Sequence, residues 1–237
     1  MAIHQLISRG LDRLWHGNWN TSGYFYGDLH KISVGAKLEE RWSDLAKLAD
    51  FRPTDRVLDV GCAEGLISLE VAKQVAHVDA FDGDANRIER AHLEAAKRQA
   101  KNISFKTALA DDYPVGEREF DVVLFLNVLN DRTREGLNIL ERLCNGAKRQ
   151  IFVRANVQKY RDAAVQLNDI QECMENSGFD CICFSGKQGR GNLIVGSRRG
   201  TDARLRTVPP LVLVPAARML SHPCLRGAKI GSYEDFR

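Results

Sequence analysis

Val57-Leu58-Asp59-Val60-Gly61-Cys62-Ala63-Glu64-Gly65 is the stretch on which the fold turns. An apolar strand-like run enters a turn of small residues, and Gly65 to Val75 continues at helical spacing. A strand that feeds a helix through such a turn lets the backbone approach a ligand closely. The free N–H groups at the helix start then face that ligand. Two common users of this geometry are excluded. No Gly-Lys-Ser/Thr follows, so this is not a P-loop, and Leu66 occupies the third glycine position of the dinucleotide pattern G-x-G-x-x-G. Asp59 lies two residues before the first glycine, at the end of a buried strand. A carboxylate there repels a pyrophosphate and attracts an amino cation. The expected ligand therefore carries an ammonium group and no diphosphate.

Working outward, Val78 to Phe81 reads as a second strand with Asp82 at its carboxyl end, 17 residues beyond Gly65. Two carboxylate oxygens match the two adjacent O–H donors of a ribose diol. The competing reading is that Asp82 starts a turn with Gly83. Asp82 could also cap the helix over 85–100, with Ile88, Ala91 and Ala95 on one face, but Asp84 is the better cap candidate. Further strands are expected at ISFKTAL (103–109), FDVVLFLNVL (120–129) and QIFVRAN (150–156). The almost unbroken apolar run at 120–129 is that of a strand covered on both faces. Helices are expected over 133–145 and 161–177, the latter closed by Gly178. DCICFSG and NLIVGSR, joined by KQGRG, read as a hairpin. The pattern predicts an α/β fold, a mostly parallel sheet with an antiparallel hairpin at one edge.

The turn from Asp59 to Gly65, then Asp82, then Phe120-Asp121-Val-Val-Leu-Phe-Leu-Asn-Val-Leu, resembles in that order the class I S-adenosylmethionine-dependent methyltransferases. The resemblance covers roughly residues 38–197. It implies a Rossmann-like three-layer sandwich on a seven-stranded sheet whose last strand is antiparallel. It also implies S-adenosylmethionine as cofactor. Its methionine part would be held by Asp59, Gly61, Cys62, Ala63 and Gly65, and its ribose by Asp82 and Gly83. Two departures stand out. The family usually has glycine where this chain has Ala63, a methyl tolerated if φ stays negative there. The acid that reads adenine falls by spacing on Leu109-Ala110, with Asp111 and Asp112 just beyond. Asp111 is the candidate for the exocyclic amine, and backbone groups of Leu109 and Ala110 are the alternative.

Methyl transfer from a sulfonium is a single in-line displacement. Positioning can supply most of the acceleration, and a base is needed only if the acceptor must lose a proton. Candidates on the acceptor side are Asn127 to Asp131 after the fourth strand, with Asn127 also expected among the cofactor-binding residues, and the aromatic N-terminal zone with His16 and His30. His16, His30 and Asp131 are base candidates, with no residue singled out. Asp131 equally suits the cap of the helix starting near Thr133, and the aromatics equally suit packing. The expected acceptor is oxygen or nitrogen of a small-molecule or glycan-like compound. RNA methylation and a non-catalytic cofactor-binding scaffold are the alternatives.

The 237 residues divide into an aromatic-rich cap or lid (1–37), the cofactor-binding domain (38–198) and a basic, proline-containing extension (199–237). Residues 38–50 open the domain with Leu38, Trp42, Leu45 and Leu48 at helical spacing. Net charge is +3, with +5 from Ser197 onward and −2 elsewhere. A near-neutral body argues against a nucleic-acid face. The six cysteines show no C-x-x-C pair, so no metal site is expected and buried thiols are. No apolar run is long enough to span a bilayer, and no leader pattern is present at the N-terminus. A cytoplasmic location is the expectation, with peripheral membrane contact through the tail left open. Oligomeric state is not legible.

Overall fold

The computed structural model describes residues 38, 41–43, 45–129, 135–155, 165–184 and 192–201. The chain divides into two compact units, Met1–Lys47 and Leu48–Arg237. The described residues of the first unit are helical, as the spacing of Leu38, Trp42 and Leu45 predicts. His16, His30 and Asp131 lie outside the described residues, as does nearly all of the extension beyond Arg199.

The second unit is built on seven strands: β1 (Arg56–Val60), β2 (His77–Asp82), β3 (Ile103–Thr107), β4 (Phe120–Leu126), β5 (Ala147–Ala155), β6 (Phe179–Phe184) and β7 (Asn192–Arg198). They form one sheet in the order β3-β2-β1-β4-β5-β7-β6. The first five strands are mutually parallel, and β7 runs antiparallel to both β5 and β6. This is the Rossmann-like arrangement expected from the sequence. The helices are α1 (Leu66–Ala72), α2 (Ala85–Lys97), α3 (Glu135–Gly146) and α4 (Leu167–Asn176).

Period-two alternation sets the two faces of the central strands. Leu58, Val60, Val123, Phe125, Ile151 and Val153 face one way and form a buried core with Leu140 and Leu143 of α3 and Ile170 and Met174 of α4. The other face carries Asp59, Leu124, Phe152 and Val195, aligned side by side across β1, β4, β5 and β7. Both sets are buried, which is why the fourth strand reads as continuous apolar sequence rather than as alternation.

Element ends differ from expectation where local chemistry overrides the apolar pattern. Helix α2 stops at Lys97, and Gln99 adopts a left-handed φ of 54°. Helix α4 begins at Leu167, where Gln166 and Asp169 form a reciprocal capping box; residues 161–164 of the expected helix lie outside the described residues. Strand β5 begins three residues early, where Ala147 pairs with Phe120 across a bulge. Asp84 caps α2 as predicted, its Oδ1 accepting from the Asn86 N–H at 2.9 Å. Gly178 lies just past α4 with a φ of 88°.

Candidate functional site

Strand β1 delivers its carboxyl end into the turn 61–65 at the carboxyl edge of the sheet. Gly61 and Cys62 both donate their N–H to the carbonyl of Phe81, at 2.9 and 3.0 Å. These bonds tie the turn to the end of β2. The Gly65 N–H donates to the Cys62 carbonyl at 2.9 Å and closes it. Gly61 and Gly65 both have a φ of 70°. A Cβ on Gly65 would lie 2.5 Å from the Phe105 ring, so packing and dihedral angle both require glycine there.

Ala63 departs from expectation. Its φ is 50°, in the left-handed region, so the methyl is not accommodated at negative φ as the sequence reading required. An L-residue there carries about 1–2 kcal/mol of strain, of which glycine's greater unfolded-chain freedom would take back about 0.5–1. Ala63→Gly should therefore raise folding stability by roughly 0.5–1 kcal/mol in urea denaturation. An unchanged or lower midpoint would show that the turn carries no such strain.

Asp82 and Ala63 are directly joined. The Ala63 N–H donates to Asp82 Oδ2 at 2.9 Å, and the Asp84 N–H donates to Asp82 Oδ1 at 3.0 Å. Asp82 is thus a buried clasp between the ends of β1 and β2, with Arg87 Nη1 4.0 Å from Oδ2. The ribose reading and the turn reading of Asp82 therefore do not exclude each other. Each oxygen accepts one backbone N–H and keeps capacity for another donor. Gly83 is exposed beside it, with Leu109 Cδ2 3.0 Å from where its Cβ would stand.

Asp59 is 3% exposed, and its Oδ2 accepts the Ser68 hydroxyl of α1 at 2.5 Å. Burial pushes its carboxyl up to about 6. The Ser68 hydrogen bond opposes that rise and the neighbouring Asp82 charge adds to it. Burial likewise raises Glu64, whose Oε1 lies 3.8 Å from Arg90 Nη1. Cys62 is buried beside Asp59 and Asp82, and burial followed by those charges drives its thiol far above the ordinary range. It stays protonated and is not a nucleophile. A cation beside the buried Asp59 carboxyl would favour its charged form and offset the burial that raises it.

The adenine side is the segment after β3. Asp111 is exposed there. The backbone alternative is narrower than the sequence suggested. The Leu109 carbonyl accepts from the N–H groups of Asp112 and Tyr113, and the Ala110 carbonyl accepts from Arg142. Tyr113 stacks on Phe81, with ring centroids 4.1 Å apart and planes 9° from parallel. Arg142 went unnoticed in the sequence because its partners lie 31 and 32 residues away in a segment with no motif, and Ser68 because its contact with Asp59 forms only once α1 packs on β1.

Asn127 is exposed at the end of β4 with a φ of 62°, its N–H donating to the Arg154 carbonyl at 2.8 Å. Arg154, at the end of β5, is buried. The described histidines lie elsewhere. His77 opens β2 beside Ser104, and His92 of α2 meets Phe105 edge to face. Cys62, Cys144, Cys173 and Cys181 are free thiols, and no metal-binding cluster occurs among the described residues. No helix among them is long and apolar enough to cross a membrane.

Comparison with known proteins agrees with this geometry. Residues 57–150 match the family described as "Methyltransferase domain". The chain is 31% identical over 134 residues to a ubiquinone biosynthesis O-methyltransferase of Rickettsia typhi, covering 54% of this chain and 50% of that protein. It is 26% identical over 166 residues to a 23S rRNA (uracil(1939)-C(5))-methyltransferase of Vesicomyosocius okutanii, covering 69% of this chain and 38% of that one. The chain thus spans half or less of the length of these curated relatives. The fold is similar to magnesium protoporphyrin IX methyltransferase from Synechocystis with bound S-adenosylmethionine. The TM-score is 0.60 at 18% identity, over 80% of this chain and 96% of that one. Turn and family match converge: residues 57–150 match a methyltransferase domain, carried on a Rossmann-like seven-stranded sheet.

Proposed function

We propose that the protein binds S-adenosylmethionine across the carboxyl edge of β1 and β2 and transfers its methyl group to oxygen or nitrogen of a small-molecule or glycan-like acceptor. The observation that carries the reading is the clasp in which Asp82 joins the 61–65 turn to β2, with buried Asp59 beneath it. In this reading Asp59 offsets the ammonium charge of the methionine part. The backbone of Gly61, Cys62, Ala63 and Gly65 lies against that part, and Asp82 with Gly83 takes the ribose diol. Asp111 takes the exocyclic amine, and Asn127 faces the acceptor side. The chemistry is supplied by the sulfonium, and these residues bind and orient it.

The O-methyltransferase relative supports the acceptor class, and the near-neutral charge of residues 1–196 favours it over an RNA acceptor. Calorimetry with S-adenosylmethionine and S-adenosylhomocysteine on the folded protein tests the cofactor reading, and absence of heat with both would sink it. Extracts supplied with a labelled methyl donor test the acceptor class, and label found only in RNA would overturn it. Asp82→Ala should weaken S-adenosylhomocysteine binding by about 1.5–3 kcal/mol, the range for hydrogen bonds to a charged group. It should also lower the melting temperature, because two backbone N–H groups lose their acceptor. Unchanged affinity would mean that another group holds the ribose.

A further inference from the structure

The segment between β3 and Tyr113 is pinned from three directions. The Ala108 N–H donates to the Asp82 carbonyl at 3.1 Å, which continues the β2–β3 ladder by one bond. The N–H groups of Asp112 and Tyr113 converge on the Leu109 carbonyl at 3.2 and 3.1 Å, and the Tyr113 ring stacks on Phe81. The third tether comes from α3. Arg142 Nη1 donates to the Asp111 carbonyl at 2.8 Å, and Nη2 donates to the Ala110 carbonyl. A guanidinium fork is rigid and planar, so gripping two consecutive carbonyls fixes the peptide planes between them. Arg142 Nε is buried and makes no hydrogen bond among the described residues. A buried guanidinium nitrogen left without a partner is costly. The side chain is therefore held there by its two carbonyl bonds.

This grip has a directional consequence. The Leu109 carbonyl accepts two N–H groups and the Ala110 and Asp111 carbonyls are turned onto Arg142, while the N–H groups of Ala110 and Asp111 make no hydrogen bond among the described residues. A trans peptide points its N–H opposite to its carbonyl, so holding the Ala110 carbonyl on Arg142 turns the Asp111 N–H away from α3, and the segment carries the Asp111 carboxylate as its acceptor. A purine that offers a ring-nitrogen acceptor next to an amino donor is complementary to that pair. One offering a carbonyl and a ring N–H instead is not.

We propose that Arg142 is a positioning residue for selection of the 6-aminopurine. By holding the Ala110 and Asp111 carbonyls it presents donors and a carboxylate in the order that distinguishes an adenosyl from an inosyl ligand. The inference rests on the cofactor reading above.

The test compares S-adenosylhomocysteine with its deaminated S-inosyl analogue by calorimetry on wild type, Arg142→Met and Arg142→Lys. Wild type is expected to prefer the adenosyl ligand by about tenfold or more, the equivalent of one lost hydrogen-bonded pair. In Arg142→Met the adenosyl affinity should fall by about tenfold or more, the inosyl affinity should change far less, and the preference should shrink to within about threefold. If the Met variant does not fold, Arg142→Lys decides. It keeps the stem and the charge but lacks the fork, and should show the same shrinkage in part. A merely structural role lowers both affinities together and leaves their ratio intact, and that result overturns the proposal. A folded variant with both affinities unchanged also overturns it while leaving the cofactor reading standing. Wild type that binds neither ligand overturns both.

Discussion

Asp59→Asn should give a more stable protein that binds its cofactor worse. Holding the Asp59 carboxyl near 6 instead of its ordinary 3.8 costs about 3 kcal/mol of folding free energy once the group is ionised in both states. The sign follows from the raised value. Below about pH 4 the carboxyl is protonated folded and unfolded, and the cost is absent. It grows between about pH 4 and 6 and is complete above 6. Asparagine keeps an oxygen for the Ser68 hydroxyl and removes the charge. The variant should gain about 2 kcal/mol at pH 7.5, gain nothing at pH 4, and lose the corresponding slope in stability against pH. Its affinity for S-adenosylmethionine should drop by about 10- to 100-fold, as expected for removing a charged partner. Wild-type affinity should fall as pH drops below 6, by up to about tenfold per unit, because the ligand must then displace a proton. The variant should lack that fall. Stability curves and calorimetry at several pH values check both halves, and a destabilised variant with unchanged affinity would contradict both.

Gly61→Val should abolish cofactor binding and cost substantial stability. The φ of 70° at this position is strained for any side chain and more so for a β-branched one. The first added carbon would also stand 2.2 Å from Val128 Cγ2. Relief requires moving Val128, which follows Asn127 at the end of β4, so the damage reaches the neighbouring strand end. A loss of about 3 kcal/mol or more is expected, with the sheet retained by far-UV circular dichroism and affinity reduced by at least about 100-fold. A folded variant with wild-type affinity would show that the turn is not the binding site.

Much of this was legible in the chain because its causes are local. The 57–65 stretch reveals itself through a buried strand that runs straight into a turn of small residues and then into a helix. Asp84 could be named as a cap because the N–H it serves is two residues away. The end of α4 was visible in Gly178 for the same reason. What escaped depends on distant partners. Nothing near Arg142 in sequence indicates that its fork grips a loop 31 and 32 residues earlier. The left-handed φ of Ala63 is imposed by the turn, and alanine gives no sign of it. The twofold duty of Asp82 arises only when β1 and β2 lie side by side. The hairpin itself was readable, but its sequence does not say which of its two strands lies inside the sheet.

That last point bears on the order in which the protein can be made. The strand that seals β5 is β7, whereas β6, made earlier, sits at the outer edge and touches the sheet only through β7. While the ribosome is still synthesising residues before Asn192, β5 presents a row of unpaired backbone groups between Ala147 and Ala155. Ile151, Phe152 and Val153 lie within that row, a template for pairing with another nascent chain. Only when β7 arrives does the hairpin slot in and remove the exposed edge. Slow synthesis or premature termination in this interval should therefore cause aggregation rather than yield a smaller folded domain.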